Sequence, residues 1–148
     1  MAKTYRVTPI IRFFNRLMRL MIRWNIAPPQ TYLMTVRGRK TGNLYSTPVS
    51  LVREEGRRWL VSPYGEVSWV KNARAAGQVT LSRGGKAETV RIRELGPAES
   101  APILKQYVQL EKIEQPYFDA TPDSPLEAFI AEAARHPVFL IADTAGDR

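Results

Sequence analysis

An α+β fold, an antiparallel barrel or sheet carrying a few helices, is what this 148-residue chain predicts. Three observations lead there. Six short segments have strand composition, two of their links are tight glycine turns, and helical periodicity is confined to four stretches around them. Tight hairpin links favour antiparallel pairing over a doubly wound sheet, whose parallel strands need long crossovers.

The elements follow in order. The head "PIIRFFNRLMRLMIRWN" winds into a helix on which Arg12, Arg16, Arg19 and Arg23 form one narrow stripe. Ile10, Phe13, Phe14, Leu17, Leu20, Met21 and Trp24 lie opposite, flanked by Ile11, Met18 and Ile22. Pro28-Pro29 breaks this pattern, so a basic amphipathic segment (1–27) precedes a body domain (28–148). "TYLMTV" (31–36) is a strand, followed by the Gly38–Gly42 turn and the strand "YSTPVSLVRE" (45–54). Glu55-Gly56 turns the chain into "RRWLVSP" (57–63). "VSWVKNARAAG" (67–77) is a short helix closed by Gly77, a residue that tolerates the left-handed cap. "VTLSR" (79–83), Gly84-Gly85 and "KAETVRIREL" (86–95) form a second hairpin, with Val90 and Ile92 on one face. Pro97 opens a helix to about Lys112, Pro125 stands in the first turn of another (124–135), and "PVFLIAD" (137–143) is the last strand.

Composition narrows the chemistry. Without cysteine there are no disulfides, thiol nucleophiles or thiolate metal sites, which fits a reducing compartment. The one histidine, His136 in "RHPVF", has the setting of a loop or strand-edge residue rather than a base. Ser-His-Asp and two-histidine metal schemes therefore have almost nothing to work with, and no catalytic side chain and no metal site is expected. No apolar run reaches the roughly 18 residues of a spanning helix.

The net charge is +8, but six of the 22 basic residues (Lys3, Arg6 and the four stripe arginines) lie before Ile26 with no acid among them. The body holds 16 basic residues against 14 acidic ones. So neutral a body argues against nucleic-acid binding, even with Arg37, Arg39 and Lys40 near Tyr45 and Tyr64. Two placements suit the head helix. It can lie on an anionic membrane surface, with Arg12, Arg16, Arg19 and Arg23 in contact, or pack its apolar side on the body with the arginines toward water. Arginines interrupt every candidate signal-peptide core, whereas an organelle transit peptide shares this composition.

"RGRKTG" (37–42) is the densest functional signal. Glycines let a backbone come close to a ligand, consecutive amides in such a turn suit an anion, and arginine and lysine add charge. It is not a Walker motif, because Met34 stands where its first glycine would be. Taken alone, the hexapeptide suits a solvated hairpin tip equally well.

In order along the chain, "RGRKTG", "STP" (46–48), "LVSPYG" (60–65) and "WVKNARAAGQVTL" (69–81) resemble the deazaflavin-dependent nitroreductase and quinone reductase family. The resemblance covers about Tyr32 to Ile92, with "HPVFLIAD" as a weaker extension. It implies a split antiparallel β-barrel with flanking helices, and as cofactor the 8-hydroxy-5-deazaflavin coenzyme F420. FMN, which related split barrels bind, is the alternative.

The resemblance further implies that Arg39, Lys40, Thr41 and Gly42 hold the phosphodiester and oligoglutamate end, with Thr47 and Pro48 beside the coenzyme. Ser62, Pro63, Tyr64 and Gly65 correspond to a loop near the ring system, and Trp69 and Asn72 match residues near the cofactor. Trp69 suits core packing as well. The implied activity is hydride transfer from the reduced coenzyme to an electron-poor, lipophilic acceptor such as a quinone, with Tyr107 and Tyr117 available to shape its pocket. The spacing around those tyrosines departs from the nitroreductase pattern, so nitro-compound reduction is not carried over. A lipid- or fatty-acid-binding protein of the same fold is the alternative reading. The expected location is cytoplasmic, peripheral at the inner face of the cell membrane, and monomer and homodimer both stay open.

Overall fold

The computed structural model describes residues 9–25 and 27–144. Lys3 and Arg6 lie outside the described residues, as does the side chain of Ile11. The chain runs α1 (Pro9–Arg23), β1 (Thr31–Arg37), β2 (Leu44–Glu54), β3 (Arg57–Val61), α2 (Ser68–Ala76), β4 (Gln78–Arg83), β5 (Lys86–Glu94), α3 (Pro97–Leu110), α4 (Leu126–Glu132) and β6 (Val138–Thr144). Short 3₁₀ turns occupy Lys112–Tyr117 and Ala133–Arg135.

The six strands close into a barrel in the order β1-β2-β3-β6-β5-β4, and every neighbouring pair is antiparallel. The expected hairpins are there for the expected reason. Glu55 and Gly56 both take positive φ (52° and 79°), as do Gly84 and Gly85 (58° and 81°), a backbone twist that matches the twist of paired strands. Gly77 caps α2 at φ 72° and returns its N–H to the carbonyl of Ala73.

Alternation along the strands makes two cores. Met34, Val36, Leu51, Leu60, Val79, Leu81, Val90, Phe139 and Ile141 fill the barrel, and Val70 and Ala73 of α2 join them. The opposite faces of β2, β3 and β6 supply Val52, Trp59, Val61 and Val138 to a second core under α3 and α4, with Leu104, Tyr107, Val108, Phe118 and Phe129. The helix expected over 124–135 is α-helical only to Glu132 and tightens to 3₁₀. Pro137 disfavours helical backbone at the residue before it, and His136 sits at φ −140°, ψ 74°.

The head helix forms as its periodicity requires, but it docks by neither expected face. Its flank and the adjoining Met21 meet the barrel: Ile22 is buried, Met18 and Met21 are half-buried, and the Ile22 carbonyl accepts the Gly84 N–H at 3.1 Å. Arg19 donates to the carbonyl of Ser46 on β2. With one backbone bond and one side-chain bond holding it there, the helix turns its broad apolar side outward, with Ile10 80%, Phe13 65% and Trp24 69% exposed.

Candidate functional site

The bend between β1 and β2 is a closed hydrogen-bonded turn. Gly38 N–H donates to Asn43 O at 2.7 Å, Gly42 N–H to Gly38 O at 3.0 Å, and Gly42 takes φ 77°. A Cβ on Gly38 would stand 2.5 Å from the Tyr45 ring, so glycine lets that ring lie on the turn. Tyr45 then meets the Thr41 hydroxyl at 3.1 Å. The three cations have different partners. Arg37 closes the turn through Gly42 O at 2.8 Å, whereas Arg39 reaches the neighbouring helix. Lys40 is exposed and makes no salt bridge among the described residues.

Asn72 of α2 receives the bend. Its Oδ1 accepts both the Arg39 backbone N–H (3.1 Å) and the guanidinium Nη1 (2.7 Å), and the residue is 6% exposed. Trp69, three residues earlier and thus on the same side of the helix, is half-buried and tilts against Phe139 at 6.1 Å. The bend and the indole therefore belong to one docked unit. Arg74 anchors the far end of α2 with a pair of bonds to each of Glu66 and Glu94, at 2.6–2.7 Å. These bonds hold the Glu66 carboxyl below its ordinary range.

Behind the β3 end, residues 62–65 form a loop whose polar groups are turned inward. Ser62 is fully buried, donates Oγ–H to Gly65 O at 2.7 Å and its N–H to Pro137 O at 2.9 Å. Gly65 takes φ 90°. Tyr64 donates to Glu114 Oε2 at 3.1 Å and stands edge-on to Tyr117, ring centres 4.8 Å apart. Burial raises the Glu114 carboxyl above its ordinary range despite the Tyr64 bond.

The expected site residues divide accordingly. Arg39, Lys40, Thr41 and Gly42 lie on the bend that Asn72 receives, Trp69 stands three residues before Asn72 on α2, and Ser62, Tyr64, Gly65 and Tyr117 gather at the loop. Thr47 pairs with Met34 and Pro48 with Leu33, and as neighbours on one strand their side chains face opposite sides of β2. Tyr107 belongs to the core against which Tyr117 packs. It is 3% exposed in the second core, and burial pushes its phenol well above the usual range. Arg16, Arg19 and Arg23 line a cleft of about 540 Å³ between α1 and the β4–β5 hairpin, with Leu20, Leu33 and Lys86, while Arg12 is exposed.

Sequence reasoning missed the buried pair Glu132 and His136, 2% exposed each. Their spacing of four within a helical stretch was the available signal. His136 does sit at the edge of β6 as expected, but buried, with Nδ1 2.9 Å from Pro63 O and Nε2 2.8 Å from Glu132 Oε1. Burial pushes its imidazolium below the usual range, against the pull of Glu132 and of the Pro63 carbonyl.

With this geometry in view, the family model described as F420H(2)-dependent quinone reductase matches residues 11–130. The chain belongs to that family. It is accordingly an oxidoreductase that depends on the deazaflavin coenzyme F420. No curated protein matches it. Among solved structures, one described as an F420-H2 dependent reductase is 25% identical, covers 77% of this chain and 95% of its own, and superposes with a TM-score of 0.53. Another, described as a domain-swapped dimer, is 20% identical over 91% of this chain and all of its own, TM-score 0.56. A protein of unknown function from Agrobacterium tumefaciens shares the fold at 15% identity over 93% of this chain and 57% of its own, TM-score 0.57.

The donor set on the bend fits a coenzyme of this family with an anionic end. The first acidic residue of the chain is Glu54, Lys40 is uncommitted to any salt bridge among the described residues, and Arg39 keeps guanidinium donors beyond the one on Asn72. Among the described residues no group of acids or histidine could hold a metal ion, and no helix is long and apolar enough to cross a membrane.

Proposed function

We propose that this F420-dependent oxidoreductase reduces a lipophilic, electron-poor acceptor such as a quinone, and that its two loops divide the work. When bound, the reduced coenzyme supplies a hydride. Lys40, the free donors of Arg39, and the backbone near Thr41 and Gly42 grip the anionic end. Trp69 and Asn72 keep that grip in register with the helix, and the loop at Ser62, Tyr64 and Gly65 orients the ring beside Tyr117. Thr47 and Pro48 stand beside the coenzyme on β2. The chain's own contribution is then positioning and water exclusion.

The observation that carries this reading is the pair of hydrogen bonds that Arg39 donates to Asn72 Oδ1, which ties the cationic bend to the helix that bears the indole. The outward apolar side of α1 supports a peripheral position on the inner face of a membrane, where Phe13, Leu17 and Trp24 meet the acyl region that a quinone occupies. Arg12 would meet the anionic headgroups, while Arg16, Arg19 and Arg23 look into the cleft beneath the helix. The coenzyme-bearing body segment (28–148) and the head segment (1–27) that carries α1 are in this reading separate functional units.

That arginine-lined, largely apolar cleft also favours a second reading, a carrier for an anionic lipid. Turnover separates the two. Purified protein mixed with reduced F420 oxidises it in step with added menadione if the first reading holds. Binding of coenzyme without menadione-dependent oxidation supports the carrier instead.

A further inference from the structure

His136 is the only histidine of the chain, and both of its ring nitrogens face acceptors: Pro63 O at 2.9 Å and Glu132 Oε1 at 2.8 Å. The carboxylate also accepts the backbone N–H groups of Asp119 (3.1 Å) and Ala120 (2.7 Å). A neutral imidazole has one donor nitrogen and one acceptor nitrogen. Satisfying both partners therefore takes one more proton, on the line between Nε2 and Oε1, whichever of the two atoms carries it. Without that proton, one of the two contacts sets lone pair against lone pair. Phe118 stacks on the ring at 3.8 Å and 17°, and the imidazole is buried.

We propose that Glu132 and His136 are positioning residues for the Ser62–Gly65 loop, sharing one buried proton so that the imidazole can hold the Pro63 carbonyl. This role in turnover rests on the reading of that loop given under Proposed function. Two neighbouring contacts point the same way: Pro137 O accepts Ser62 N–H at 2.9 Å, and a Cβ on Gly65 would stand 3.4 Å from Arg135 O. The segment from Glu132 to Pro137 thus backs the whole loop. The charged groups facing the pair are Arg135, 3.7 Å from the same carboxylate oxygen, and Asp119, which Arg135 holds at 2.8 Å.

A lone histidine makes the test direct. Nitrogen-15 spectra of the imidazole, with the Tyr64 and Gly65 amides as loop reporters, are followed across pH in the full-length chain. The expected result is a protonated Nδ1, a proton shared at Nε2, and loop amides that move with the ring at one common midpoint as that proton leaves. In Glu132→Gln the side-chain amide can donate to Nε2 without the extra proton, keeping the Ala120 N–H on its oxygen and giving up the longer Asp119 N–H bond, so this joint titration disappears and the loop signals keep their low-pH positions. A ring that titrates while the Tyr64 and Gly65 amides stay still overturns the proposal. So does an Nε2 that is bare at every pH.

Steady-state turnover of reduced F420 with menadione supplies the second readout. His136→Phe lowers kcat on the order of tenfold or more, with the coenzyme KM within about twofold. Glu132→Gln keeps turnover and flattens its pH profile, and it keeps the test decisive if His136→Phe fails to fold. An unchanged kcat in His136→Phe, or a Glu132→Gln profile identical to that of the wild type, counts against positioning. If the wild type does not oxidise reduced F420 at all, the functional reading fails, and the coupling of ring and loop signals alone decides whether the pair anchors the loop.

Discussion

The two loops of the candidate site are built on opposite principles. The 38–43 bend is largely exposed and cationic, and it is tied to α2 through one asparagine, with Lys40 left in solvent. The 62–65 loop is largely buried, its polar groups spent on a serine, a backbone carbonyl and a histidine–glutamate pair. An exposed cationic turn can exchange partners at little cost, because its charges stay hydrated until a ligand arrives. A buried polar network cannot, because each group that loses its partner retains the full desolvation penalty. Affinity for a charged tail suits the first construction, and fixed geometry at a reacting ring suits the second.

Substitutions separate the two, beginning with the largest effect. Glu132→Ala strips the acceptor from His136 and from two backbone N–H groups, and urea unfolding should show a loss of about 3–5 kcal/mol, as for other broken buried pairs. Lys40→Ala should leave the unfolding curve within about 0.5 kcal/mol of wild type. That contrast breaks if both variants lose similar stability.

Gly65→Ala forces a side chain into positive φ and should cost about 1–2 kcal/mol, read as a lower midpoint in the same denaturant series. Asn72→Ala frees the bend from α2. We expect about 1 kcal/mol of lost stability, since the bond to the charged Arg39 is partly exposed, together with weaker coenzyme binding by calorimetry. Intact binding in Asn72→Ala would show that the bend acts without its docking.

Glu114→Gln sharpens the comparison through pH. The Glu114 carboxyl is raised in the fold, chiefly by burial, so its neutral form is favoured and stability is lost as pH rises through that raised value. Glutamine removes the penalty. Its melting temperature should exceed the wild type's at neutral pH, and the difference should vanish below the ordinary carboxyl range, as scanning calorimetry at the two pH values would reveal.

Much of this could be read along the chain. Gly84-Gly85 announces a hairpin because glycine accepts positive φ, Gly56 marks the other although Glu55 takes positive φ beside it, and alternation through "LVRE" and "TVRIR" assigns the inner faces. "RGRKTG" and Asn72 were legible through their resemblance to a family, and the Arg39 bond explains why an asparagine stands there. The rotation of α1 was not legible. Periodicity says which side is apolar, but not that Ser46 O would recruit Arg19 and that Gly84 would donate to Ile22, which turns the apolar side outward. Aromatic content carries no depth information, so the sequence did not show that Tyr107 lies fully buried in the second core with Tyr117 packed against it. The Glu132–His136 pair showed its helical spacing, yet its third partner, Pro63, lies 73 residues away, and no local pattern links them.

The division of labour between bend and loop is tested most directly by equilibrium titration of the protein with F420 and with FMN, side by side, in wild type and in Lys40→Ala. Wild type should prefer F420, and Lys40→Ala should lose on the order of tenfold of that affinity, as expected for one charge-assisted contact, while retaining its fold. Equal affinity for both flavins, or an F420 affinity indifferent to Lys40, would contradict the account.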